Sequence, residues 1–139
     1  MKILPKVPTS AAPPEHFTGD AWFDTIIRGE PPSRIRASIV RFAPGTRNAW
    51  HRHAVGQTLH VLDGHGLTQA RGGGILAIQA GDTIHTPPDE WHWHGAAPDR
   101  FMTHLTIYEA AGDGRETEWG DLVTDAEYGA DARSGRMGR

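Results

Sequence analysis

Most of the side chains that could do chemistry sit in two short stretches, "AWHRHAVGQTLHVLDG" from Ala49 and "EWHWHGAAP" from Glu90. The chain has 9 histidines and no cysteine, and four of the histidines form two His-x-His pairs, His51/His53 and His92/His94. In an extended strand, residues i and i+2 point to the same face, ~6.6 Å apart along the chain. Each pair can therefore aim both imidazoles at one point, and two such pairs on facing strands offer three or four nitrogen ligands. Without thiols, imidazole nitrogen with an amide or carboxylate oxygen suits Mn, Fe, Co, Ni or Zn, and donor type alone does not choose among them.

Four of the remaining five histidines read differently. His16, His60, His65 and His85 lie in an arm, in turns or at unpaired strand positions, where an ordinary solvated or hydrogen-bonded imidazole is the expectation. Trp50, Trp91 and Trp93 flank the pairs and read as packing at a barrel rim, with an aromatic substrate wall as the alternative.

Short strands must position these pairs. From Asp20 the chain runs through "DAWFDTIIR", "SRIRASIVRF", "QTLHVLDG", "GILAIQAGD" and "DRFMTHLTIYEA", each rich in β-branched and aromatic residues. Gly, Pro and Asp punctuate them, as at Pro44-Gly45, Asp63-Gly64 and Gly81-Asp82. That pattern predicts an all-β sandwich or barrel. Residues 1–18 are proline-rich and read as an extended, mobile N-terminal arm, with a strand lent to a partner subunit as the alternative. Residues 19–112 form the barrel, and 113–128 a C-terminal extension packed on it, with "EWGDLVTDAEYG" giving a turn or two of helix. The small, polar, basic segment 129–139 is expected to be a disordered tail.

Length and charge narrow the function classes. A chain of 139 residues suits one domain. A net charge of −3 with interleaved signs gives no reason to expect nucleic acid or an anionic membrane as partner. The absence of cysteine excludes a disulfide framework and cysteine nucleophiles. No secretory leader or run of ~18 apolar residues is present, so a cytoplasmic protein is expected.

"PGTRNAWHRHAVGQTLHVLDG" resembles the first cupin motif: Gly, five residues, His-x-His, three residues, Glu, six residues, Gly. The corresponding residues here are Gly45, His51, His53, Gln57 and Gly64. "GDTIHTPPDEWHWHG" resembles the second, with Gly81, Pro87 and His92 in register and Asp89 where a glycine is usual. Both motifs, in order and correctly spaced, imply a cupin double-stranded β-helix (jelly-roll) barrel over roughly Asp20 to Glu109. "AWHRHAVGQTL", "EWHWHGAAP" and "MTHLTI" are similar, more narrowly, to the small bacterial cupins that act as manganese-dependent hydroxynitrile lyases, (R)-mandelonitrile lyase-like cupins.

That resemblance implies His51, His53, Gln57 and His92 as metal ligands, with Mn(II) the first expectation and Fe(II), Ni(II), Co(II) or Zn(II) open. It implies reversible cleavage of a cyanohydrin to an aldehyde and cyanide. His94 shares a strand face with His92 and is the candidate general base. His104 and Tyr108 are placed at the pocket as further catalytic candidates, and Ser38 and Val40 at its wall. Asn48 and Arg41 are additional candidates, although an arginine on a barrel strand is more often a solvated or dimer-face charge. Gln57, where most cupins carry Glu, brings no charge, so a divalent ion keeps its full +2 and favours an alkoxide or anion over electron transfer. The competing readings are a metal-dependent dioxygenase or oxidative carbon–carbon cleaving enzyme on the same ligands, and a non-catalytic small-molecule-binding cupin. Small cupins commonly self-associate, so a homodimer or homotetramer is expected.

Overall fold

The alternating apolar residues of the central runs face one interior. The computed structural model describes residues 1–130 and 132–134. Strand β1 spans Ser10–Ala11, β2 Phe17–Thr18, β3 Ala21–Arg28, β4 Ile35–Phe42, β5 Arg47–Asn48 and β6 His51–His53. They are followed by β7 Gln57–Ala70, β8 Ile75–Gln79, β9 Thr83–Thr86, β10 His92–Ala96, β11 Met102–Glu109 and β12 Thr117–Trp119. A single helical turn, α1 at Asp125–Tyr128, and β13 at Ala132–Ser134 complete the order.

The long strand β7 joins the two halves of a jelly-roll barrel. Its first part pairs with β11 and β9, its second with β10 and β8. From β11 the sheet continues through β4 and β3 to β1; from β10 it continues to β5 and β2. Val40 and Phe42 of β4, Leu59 and Val61 of β7, and Met102 and His104 of β11 are buried at every second position, as a half-covered strand requires. The fold is the all-β cupin barrel expected from the two motifs.

Strand β10 is covered on both faces, and its sequence His-Trp-His-Gly-Ala divides accordingly. His92 and His94 face the barrel interior. Trp93 faces outward into a second apolar cluster with Trp50, Leu67, Ile75, Val123 and Tyr128. Gly95 is required here, because a Cβ would collide with the Thr46 carbonyl and lie 2.7 Å from Arg47 Cα.

The C-terminal extension covers that outer cluster. Buried Arg47 donates to the Val123 carbonyl at 2.9 Å and to Asp125 Oδ1 at 2.7 Å. Tyr128 donates to the Ala96 carbonyl at 2.6 Å. Thr124 and Glu127 form a reciprocal capping box that starts α1.

Two terminal segments differ from the sequence expectation. Ser10–Ala11 pairs with Trp22–Phe23 of the same chain, and Phe17–Thr18 with Arg47–Asn48. An open sheet edge offers unpaired N–H and C=O groups, and the end of the arm satisfies them. At the other end, Ala132–Ser134 adds in parallel to β8, although a small, polar segment carries no apolar pattern to announce a strand. Asp131 and residues 135–139, where disorder is also expected, lie outside the described residues.

Candidate metal centre

Strands β6 and β10 bring three imidazoles together. His51 pairs directly with His92 across the two strands, and His53 lies two residues on, on the same face. The ligand atoms of His51, His53 and His92 all fall within 4.8 Å of one another, and all three residues are buried. After a turn through Gly56 at φ 83°, Gln57 opens β7 and places its Oε1 3.1 Å from His92 Nε2.

Each imidazole is held from outside by its Nδ1, which frees Nε2 for the centre. His51 Nδ1 donates to the Ala49 carbonyl at 2.7 Å, and His92 Nδ1 to the Glu90 carbonyl at 2.9 Å. His53 Nδ1 lies 3.1 Å from Thr117 Oγ1. His53 Nε2 is buried without a hydrogen-bond partner, an arrangement costly unless something binds there. Outer hydrogen bonds that fix the tautomer are the usual support of ligating histidines. Three such nitrogens and one amide oxygen therefore fit a divalent transition metal.

Burial keeps these imidazoles neutral, the form that ligates. His53 is pulled down to about 3 by burial and by the nearby His92. His51 is held well below its ordinary value by burial, reinforced by His92 and His53, and burial also lowers His92.

Beside the three histidines lies a cavity of about 200 Å³. Ser38, Val40, Asn48, His94, His104 and Tyr108 all line it, together with His51, His53 and Gln57. His94 Nδ1 sits 3.0 Å from His104 Nε2. Asn48 Oδ1 accepts the backbone N–H of His94 at 2.9 Å, and its Nδ2 is 3.2 Å from both ring nitrogens. Burial, reinforced by His104 and His51, holds His94 well below the ordinary imidazole value, and burial brings His104 to about 4. Tyr108 packs its ring on His53 at 4.9 Å and directs its hydroxyl to Glu116 Oε1 at 3.4 Å. Burial and the Glu116 charge raise its pKa.

Other candidates lie apart from the cavity. Arg41 forms an ion pair with Asp24 at 2.6 Å. Trp50, Trp91 and Trp93 belong to the outer cluster, and His60, His65 and His85 make surface contacts with Thr83, Arg100 and Thr58. His16 departs from its arm reading by stacking on Trp119 at 4.3 Å.

Sequence reasoning missed six cavity residues: Phe17, Phe23, Phe42, Thr106, Thr117 and Trp119. Thr106 had a readable signal, since it shares strand parity with His104. Thr117 and Trp119 did not, because β12 pairs with β6 across more than sixty residues of sequence.

Barrel, paired histidine strands and donor set together define a cupin with a metal-holding centre. Residues 38–108 match the cupin domain family, and the chain belongs to it. It is 43% identical over 116 residues to the (R)-mandelonitrile lyase of Granulicella tundricola, a match covering 84% of this chain and 88% of that protein. A cupin-like protein of Thermotoga maritima has a similar structure, with a TM-score of 0.81 at 33% identity over 92% of this chain and 95% of that one. A polyketide cyclase of Streptomyces resistomycificus has a TM-score of 0.68 over 92% and 90% of the two chains, but at 17% identity shares the fold alone. Among the described residues no helix is long and apolar enough to cross a membrane.

Proposed function

We propose that the chain is a metal-dependent carbon–carbon lyase that reversibly cleaves a cyanohydrin, such as mandelonitrile, to an aldehyde and cyanide. The observation that carries this reading is the charge of the cavity wall: histidines, amides, hydroxyls, aromatics and Val40 line it, and among the described residues no carboxylate does. Such a wall leaves a bound divalent cation its full charge, which suits alkoxide and cyanide. The 43% identity to an (R)-mandelonitrile lyase supports the same chemistry.

A divalent metal held by His51, His53, Gln57 and His92, Mn(II) first among the candidates, supplies Lewis acidity that eases ionisation of the substrate hydroxyl. His94 is the base. With Nδ1–H donated to His104 Nε2, Nε2 is the unprotonated ring nitrogen, and it takes the hydroxyl proton in exchange for its contact with Asn48 Nδ2. His104 then carries its own proton on Nδ1, and its Nε2 lone pair stabilises the imidazolium that forms on His94. As the proton moves to His94, the carbon–oxygen double bond forms and the carbon–carbon electron pair leaves with cyanide. His94 returns its proton to give hydrogen cyanide and the aldehyde, so no electrons are exchanged with an outside acceptor. Asn48 holds the base in place through the His94 backbone.

Metal analysis of purified protein, followed by mandelonitrile turnover with and without oxygen, tests the reading. About one divalent metal per chain and oxygen-independent cyanide release are expected. Oxygen consumption on an aromatic diol or alkene, with mandelonitrile untouched, would replace the lyase by a dioxygenase.

A further inference from the structure

Two segments outside the histidine motifs meet at the cavity mouth. Strand β12 lies beside β6 with Thr117 opposite His53 and Trp119 opposite His51. Cross-strand partners share a face, so β12 adds a wall to the centre. The Trp119 ring lies 4.9 Å from the His51 ring and 6.2 Å from Phe17. Against it stacks His16, at 4.3 Å with the planes 7° apart. Trp119 remains 36% exposed, so the same indole touches both the cavity and solvent.

His16 is not loosely placed. Its carbonyl accepts the Ala49 N–H at 2.8 Å and its N–H donates to the Pro13 carbonyl at 3.1 Å. The next residues, Phe17–Thr18, pair with β5. The N-terminal arm thus presses an aromatic plate onto Trp119 from outside, and the barrel holds it from inside.

The geometry points to Trp119, braced by His16, as the specificity-determining residue that limits the substrate to a single aromatic ring. This rests on the lyase reading for the substrate's polar end, but not for its size limit. A cavity of about 200 Å³ is smaller than the ~300–1,000 Å³ of sites for larger ligands. Of the aromatic wall residues, Phe17, Phe23 and Phe42 pack against one another or into the buried core, and half-buried Tyr108 packs on His53. Trp119 alone among these five is an exposed large side chain, so its truncation opens the cavity outward instead of leaving a void in the core.

The test compares binding of benzaldehyde and 2-naphthaldehyde to metal-loaded wild type, Trp119→Ala, Trp119→Phe and His16→Ala, by ligand-observed NMR without turnover. Trp119→Ala should shift the ratio of the two dissociation constants towards 2-naphthaldehyde by ~10-fold or more, on the scale of gaining or losing apolar contacts in a pocket. Trp119→Phe and His16→Ala should shift it part of the way, with metal content unchanged in all three. If Trp119→Ala does not fold, the two milder variants carry the comparison. An unchanged ratio in every folded variant overturns the inference, as does failure of wild type to bind either aldehyde. A shifted ratio in a protein that never releases cyanide leaves the size limit standing and removes the lyase reading alone.

Discussion

Gln57 donates its side-chain N–H to Thr106 Oγ1 at 2.6 Å, and this bond decides which end of the amide faces the histidines. With Nε2 tied to β11, Oε1 points at His92 Nε2. An amide free to flip would present an N–H to the centre half the time, and an N–H cannot ligate a cation. Thr106→Val keeps the shape and removes the acceptor. Metal affinity measured by calorimetry should fall ~10–100-fold, as when the outer support of a ligand is lost, and Thr106→Ser should restore it. Equal affinity in Val and Ser variants would show that the amide needs no such anchor.

His94 separates proton transfer from metal binding. Its ring lies in the cavity wall against His104 and Asn48, whereas the cluster able to hold a metal is made by His51, His53 and His92. His94→Ala should retain about one metal per chain and lose cyanohydrin cleavage by ~10²–10⁴-fold, the range for a lost general base. His92→Ala should lose the metal and activity together. Metal loss in His94→Ala would make His94 a ligand and leave the base unassigned.

The barrel and its clustered histidines were legible for one reason: two motifs carry them within single strands. His51/His53 and His92/His94 each need only strand parity to converge, and Gln57 follows after one turn. The closing walls were not legible. Phe17 and His16 stand in a proline-rich stretch that reads as a loose arm, and β2 is only two residues long. Trp119 lies on a three-residue strand in a segment read for its helical turn. Short edge strands are fixed by the partner they add to, and that partner is distant in sequence. Thr106 was within reach of parity, but its tie to Gln57 depends on a diagonal contact across β7 and β11.

Acid should destabilise the metal-free protein over a defined range. His53 and His104 titrate at about 3 and about 4 in the folded chain because burial resists their charging. Unfolding returns both to about 6.5. Above that value both states are neutral and the two groups leave stability unaltered by pH. Below it, the unfolded chain takes up protons that the folded chain refuses, so stability falls until the pH passes the folded values. Each imidazole contributes a slope of up to about 1.4 kcal/mol per pH unit in that interval. Thermal unfolding of chelator-treated protein should show a level Tm from pH 8 to 7 and a decline from 6.5 to 4. His104→Leu should make the decline shallower, and an identical slope would remove His104 from the account.

Asp89 occupies the position where the second motif usually has glycine, and its φ is 62°. It is the one non-glycine residue with positive φ among the described residues. The left-handed region costs an L-residue roughly 1–2 kcal/mol, less for Asp than for most because its short side chain bonds locally. The turn cannot relax to avoid this, because the Asp89 N–H donates to the His53 carbonyl at 2.9 Å and so ties it to a ligand strand. Asp89→Gly should stabilise the folded protein by ~0.5–1 kcal/mol, an increase of a few degrees in Tm for a domain of this size. Asp89→Ala should do the opposite, since it keeps the Cβ and loses the polar compensation. Both variants should keep their metal, because neither touches a donor. A Tm order with Ala above Asp would mean that the turn adopts another conformation in solution.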